Sequence, residues 1–291
     1  MTETFDGDWL DLREPFDARA RNAALAMTLS KALPARPRIL DLGAGTGALL
    51  RWLGHFIGRA QAWTLVDADA ALLARAFETI RERAEAVGWA VTAPDRRTLL
   101  VHAPGGAWRV EGLVADLREA PDNLPLDKVD AVVNTALCDL VSEDWVADMA
   151  DAVAEHGLPF YAALNVTGRE RFAPPHRADA LVARGFARDQ ARDKGFGGIA
   201  LGAKAPDVIA QNFAAHGYQV MRGASPWIVK RQEGAMAAAL AEGHALAAAA
   251  WERRGEAAVH GWLADRRRQA MAGRLTALVG HTDILALPPE G

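Results

Sequence analysis

Cysteine is all but absent. Cys138 is the one thiol in 291 residues, so no intrachain disulfide framework exists. Neither sign of charge dominates. The 33 Lys and Arg stand against 37 Asp and Glu, a net charge of -4, which supplies no global basic field to hold a nucleic acid. A long apolar run is missing too. The nearest approach, 235–251, is rich in alanine and interrupted by Glu242 and His244; alanine is too weakly hydrophobic and the polar pair too central for a membrane span, so a packed helix is expected. The opening residues 1–6 are acidic with no apolar core, unlike a secretory signal. Without such a signal the triplet Asn165-Val166-Thr167 says nothing about glycosylation, and a cytoplasmic location is expected. What is present is ordinary for a globular chain, 51% hydrophobic and 24% charged. The length suits one large α/β domain with additions, or two small ones.

The rest of the chain is organised around Arg38-Ile39-Leu40-Asp41-Leu42-Gly43-Ala44-Gly45-Thr46-Gly47-Ala48-Leu49-Leu50. Ile39, Leu40 and Leu42 are strand material, and from Ala48 the apolar residues Leu49, Leu50, Trp52 and Leu53 return at helical spacing. Between them the backbone must turn sharply, which favours residues without a Cβ. The same bareness lets a ligand lie against backbone N–H groups. Two ligand classes use such turns. Gly43, Gly45 and Ala48 fit the dinucleotide pattern G-x-G-x-x-G/A; Gly43, Gly45 and Gly47 fit the G-x-G-x-G pattern of S-adenosylmethionine (SAM) enzymes. Asp41, two places before the first glycine, separates them. A pyrophosphate is repelled by a neighbouring carboxylate, whereas the ammonium of SAM is attracted by it.

With Asp41-Leu42-Gly43-Ala44-Gly45-Thr46-Gly47 the chain resembles the class I SAM-dependent methyltransferases. The resemblance implies an α/β fold: a doubly wound, mostly parallel seven-stranded sheet, Rossmann-like, here with helical additions. It covers 36–166 well and the remainder only by topology. It implies SAM as cofactor, cradled by Gly43, Ala44, Gly45 and Gly47 with Asp41 toward the ammonium. Asp67, about twenty residues past the last glycine at the end of the next strand, is placed to accept the ribose hydroxyls, with Ala68 beside it. In Val114-Ala115-Asp116-Leu117 the resemblance gives Asp116 the adenine amino group and Leu117 a backbone contact to a ring nitrogen. Asn134, at the end of the fourth strand, is a second candidate for the ammonium. Arg13 and Arg21, on the helical segment before the first strand, are candidates for the SAM carboxylate, since guanidinium binds carboxylate in bidentate fashion.

The loop after the fourth strand faces the methyl group in that family, so Asp139 is a candidate base and His176 a weaker one. This loop lacks the N-P-P-Y or D-P-P-Y signature of methyltransferases acting on amino groups of bases and glutamine, which argues against those substrates. Cys138 reads as a small buried hydrophobe. Beyond the fifth strand, 167–204 interleaves Arg and Lys with Phe172, Phe186 and Phe196, and its glycines permit motion. It is expected to be an acceptor lid, with Arg188, Lys194 and Phe196 as substrate contacts. The family closes its sheet with a short hairpin; here a helical pair at 230–275 intervenes, and Arg266-Arg267-Arg268 on it reads as a solvated face.

The chain therefore divides into an N-terminal helical cap (1–35), a SAM-binding α/β core (36–166), an acceptor lid (167–204), and the end of the sheet with its inserted helices (205–291). The expected activity is in-line methyl transfer from SAM to a small-molecule acceptor, anionic or planar, with no metal and no membrane partner. The alternatives are an NAD(P)-dependent oxidoreductase, against which Asp41 and the lack of a Tyr-x-x-x-Lys pair speak, and a SAM-binding regulator without turnover.

Overall fold

The central strand β1 (Arg38–Leu42) is buried on both faces, as parallel strands covered by helices on each side must be. A computed structural model describes residues 6–95 and 97–289; most of the acidic opening read above lies outside them. β1 pairs in parallel with β2 (Gln61–Asp67) and β6 (Ala131–Thr135), and outside these lie β5 (Gly106–Val114) and β7 (Phe160–Ala173), also parallel. β10 (Thr276–Leu287) then runs antiparallel to β7 and carries β8 (Gln219–Ala224) on its far side.

These seven strands are the expected sheet, but it is larger and less parallel than expected. A hairpin of β3 (Ala90–Asp95) and β4 (Thr98–Ala103) adds to the free edge of β5, and β9 (Trp227–Val229) adds to β10. Among the described residues the sheet has ten strands in mixed orientation. The excursion at 89–102 is thus an edge cover, which gives the N–H and C=O groups of β5 their partners.

The cap is two helices, α1 (Gly7–Ala20) and α2 (Ala23–Ala32), broken where Asn22 caps α2 by accepting the Leu25 N–H at 3.1 Å. α2, α3 (Ala48–Ile57) and α4 (Ala70–Ala86) bury Leu29, Leu50, Leu53 and Ile80 against one face of the sheet. α5 (Glu143–Glu155) and α7 (Ala205–Ala215) bury Trp145, Met149, Ile209 and Phe213 against the other.

The stretch 167–204 is more regular than its sequence suggests. β7 continues to Ala173, and α6 (Asp179–Gln190) follows. The strand was hidden because Gly168 takes a φ of +68° and the β7–β10 register shifts nearby, so the alternation of side chains is interrupted. α6 packs with α8 (Gly234–Trp251) and α9 (Glu256–Met271) around Val182, Ala241, Ala245, Ala248, Val259 and Trp262. Gly185 is needed there, because a Cβ would stand 2.7 Å from Ala248 Cα. Arg266 corrects the expected solvated face. It is fully buried, with its guanidinium on Asp179 Oδ1 (2.5 Å), Pro174 O (2.6 Å) and Gln269 Oε1 (2.8 Å). Among the described residues no helix is long and apolar enough to cross a membrane.

Candidate functional site

After β1 the chain turns through Gly43, Gly45 and Gly47 with φ of +63°, +53° and +77°, a region side chains rarely enter. Asp67, at the end of β2, grips this turn. Its Oδ2 accepts the Gly45 N–H at 2.8 Å and its Oδ1 accepts the Asp69 N–H at 2.9 Å. Burial pushes the Asp67 carboxyl upward, and these backbone donors offset part of the push. Asp69 also caps α4 through the Ala71 N–H.

A cavity of about 700 Å³ opens over the turn, at the carboxyl ends of the parallel strands, where open α/β sheets bind ligands. Of the sequence candidates, Gly43, Ala44, Gly45, Asp67, Ala68, Asp116, Leu117, Arg13, Lys194 and Phe196 line it. At one end stand Asp116, Leu117 and Arg118, with Lys194, Gly195 and Phe196 above them. Arg118 clasps the Asp116 carboxylate, donating from Nε at 2.9 and 2.8 Å and from its terminal nitrogen, and holds it below the usual carboxylate range. At the other end α1 supplies Leu10, Arg13 and Asp17, facing Ala48 and Thr135. Arg13 Nε donates to Asp17 at 3.1 Å while its guanidinium lies 4.9 Å over the Trp227 ring. Trp227 Nε1 donates to the other Asp17 oxygen at 3.0 Å.

Other candidates stand behind or away from the cavity. Gly47 caps α3 beneath the turn, beside Ile80 and Ala76. Asp41 is fully buried, and neither carboxylate oxygen has a hydrogen-bond partner among the described residues. Burial pushes its pKa up to about 8, against the pull of Arg21 and with the repulsion of Asp67. Arg21 is buried too; it donates to Thr135 Oγ1 at 3.2 Å and to Ala48 O at 3.4 Å, so it braces the cavity from behind. Asn134 is buried with its Oδ1 on Cys138 Sγ at 3.4 Å, and burial pushes the Cys138 thiol upward, consistent with a packing role. Asp139 is buried off the cavity wall, its carbonyl accepting the Gly202 N–H.

Two candidates are not brought to the site. His176 bonds Asp265 on α9 at 2.9 Å, and Arg188 pairs with Glu252 at 3.2 Å. Both belong to the packing of the three-helix unit, which sequence order alone assigned to the lid. Sequence reasoning missed Leu10, Asp17, Leu137, Leu140 and Arg118 on the cavity wall. Arg118 had a signal, since a cation two places after a site carboxylate can fold back onto it.

No family model and no curated protein matches this chain. Solved structures do. A protein from Anaeromyxobacter dehalogenans, provisionally described as a type II methyltransferase, aligns over 93% of this chain and 97% of its own with a TM-score of 0.50 and 18% identity. A cyclopropane synthase from Mycobacterium tuberculosis aligns less closely, over 91% of this chain and 82% of its own, with a TM-score of 0.46 and 15% identity. A geranyl diphosphate C-methyltransferase from Streptomyces coelicolor A3(2) covers 92% and 80%, with a TM-score of 0.40 and 12% identity. At 18% identity the likeness to the first of these is one of fold. With β5-β2-β1-β6-β7-β10-β8 as its central order and a glycine turn after β1, the chain has the class I SAM-dependent methyltransferase fold.

Proposed function

We propose that this protein is a SAM-dependent methyltransferase acting on a small molecule. The observation that carries the reading is the glycine turn held open by Asp67, with the Asp41 carboxyl buried behind it and unpartnered among the described residues. The residues fit the cofactor. The turn presents bare backbone where a side chain would intrude, since a Cβ on Gly45 would lie 3.1 Å from Leu10 Cδ1. Each Asp67 oxygen uses one acceptor position on backbone and keeps another for a ribose hydroxyl. Asp116 and Leu117 take the base. Arg13 suits the carboxylate of the amino-acid tail. Asp41 keeps its proton in the ligand-free protein and favours the ammonium by giving that proton up as the tail arrives, since a nearby cation lowers a carboxyl's pKa.

When bound, SAM supplies an electrophilic methyl for in-line displacement. What the chain contributes is position and dryness. α1 covers the turn and excludes water; Arg21 and Thr135 brace the wall below. The acceptor takes the part of the cavity lined by Thr135, Ala136 and Leu140, where mostly apolar walls suit a planar compound. Asp139 stands off the wall, so the transfer rests on alignment more than on a strong base.

The test is thermal shift with SAM, S-adenosylhomocysteine and NAD. A ligand that binds the native state at 100 times its Kd stabilises by about 2.7 kcal/mol. Stabilisation by both sulfur compounds is expected. Stabilisation by NAD alone would overturn the reading, and binding without turnover across a panel of acceptors would favour the regulator.

A further inference from the structure

We infer that the segment 193–198, with Arg118, is a clamp on the adenine end of the cofactor and not a receptor for the acceptor. This rests on the SAM reading above and departs from the lid function that the order of the chain suggests. Phe196 stands edge-on to Trp145, with ring centroids 6.3 Å apart at 86°. Trp145 Nε1 donates to Leu117 O at 2.7 Å, so Phe196, Trp145 and Leu117 form one connected cluster beside Asp116. Gly195 faces the Arg118 side chain, whose Cδ lies 3.8 Å from where a Cβ would project. Phe196, Gly195 and Arg118 all line the cavity there, with Val114 and Ala115 as its apolar edge. An aromatic ring, an arginine and a carboxylate lining one slot suit a purine, whose flat face stacks and whose amino group donates.

The finger is built to hold a shape. Gly195 N–H donates to Asp193 Oδ1 at 2.7 Å, Asp193 and Ile199 form an antiparallel bridge, and Gly195 and Gly197 take φ of +95° and +76°. It is also strapped to the loop after β6. Ser142 Oγ donates to Phe196 O at 2.8 Å; Leu201 N–H donates to Val141 O and Gly202 N–H to Asp139 O, each at 2.9 Å. That loop contributes Leu137 and Leu140 to the cavity wall. A base seated in the clamp therefore steadies the wall that the acceptor meets, while the acceptor itself lies beyond the clamp, toward Thr135.

The experiment compares two probes by calorimetry: S-adenosylhomocysteine, and 5′-methylthioadenosine, which keeps base and ribose but has no amino-acid tail. Phe196→Ala is expected to weaken both probes by the same factor, at least about 5-fold, the scale of losing one base–aromatic contact. Phe196→Leu retains apolar packing on Trp145 and should show a smaller loss with the same parity between probes, which separates the effect from misfolding. Arg13→Gln should weaken the homocysteine compound and spare methylthioadenosine. Wild-type affinity of Phe196→Ala for both probes would overturn the clamp. Failure of the wild-type protein to bind either probe would instead remove the SAM reading beneath it.

Discussion

Single residues set the electrostatics behind the turn. Asp41 holds its proton to about pH 8 because it is fully buried, with no hydrogen-bond donor on its oxygens among the described residues. Its folded value lies above the ordinary carboxylate value, so the native state keeps a proton the unfolded chain has already lost. The stability from this group is whole below about pH 4 and is lost as pH rises through about 8. Asp41→Asn should remove that slope in the ligand-free protein, with a relative gain of about 2–5 kcal/mol at pH 9 over pH 5. Urea unfolding at the two pH values measures it; parallel losses in variant and wild type would show that Asp41 is not the group that titrates. Gly45 sets the shape. At φ +53° and with Leu10 close by, Gly45→Val costs about 1–3 kcal/mol of backbone strain and fills the cradle. Loss of S-adenosylhomocysteine binding with retained circular dichroism is the expected result.

Among the elements, α1 is the one that closes the site. Arg51, on α3, reaches Glu14 with Nε and a terminal nitrogen, both at 2.8 Å, in a nearly enclosed pair. Burial pushes the Glu14 carboxyl up, but the Arg51 hydrogen bond and charge prevail and hold it down. Arg75, on α4, pairs with Asp8 and Asp11 nearer to solvent. The two anchors should differ in weight. Arg51→Ala strands a largely buried carboxylate, at a cost of about 1–3 kcal/mol, whereas Arg75→Ala removes exposed pairs that contribute about 0–1 kcal/mol. The first should speed S-adenosylhomocysteine release and expose α1 to limited proteolysis; the second should do neither. Equal behaviour of the two variants would mean that α1 is held by its apolar contacts, Leu12 and Phe16 among them.

At the scale of the whole molecule, the three-helix unit of α6, α8 and α9 stands apart from the cavity, whose wall includes none of its residues. Arg266 is its hub, buried between Asp179 and the rings of Phe172 and Trp262, at 5.6 and 5.2 Å. Arg266→Ala should destabilise the unit by about 3–5 kcal/mol, read as faster hydrogen exchange in α6, α8 and α9, while affinity for S-adenosylhomocysteine stays unchanged. A matching loss of affinity would show that the unit and the site open together.

What the sequence determined by itself is local. Three glycines between an apolar strand and a helix required the turn; Asp67 and Asp116 at strand ends required polar groups at the rim; alternating strand and helix periods required a sheet covered on both faces. Each of these follows from residues near one another in the chain. Tertiary structure decided what depends on distant partners. Only packing sinks Asp41 and Arg21 behind the wall, takes Arg188 and His176 into a helical unit with Glu252 and Asp265, and buries Arg266. It also brings Phe196 to Trp145 and Leu117. An arginine carries the same charge at the surface or in the core, and the sequence does not say which carboxylate will meet it; that is fixed only when helices and strands far apart in the chain come into contact.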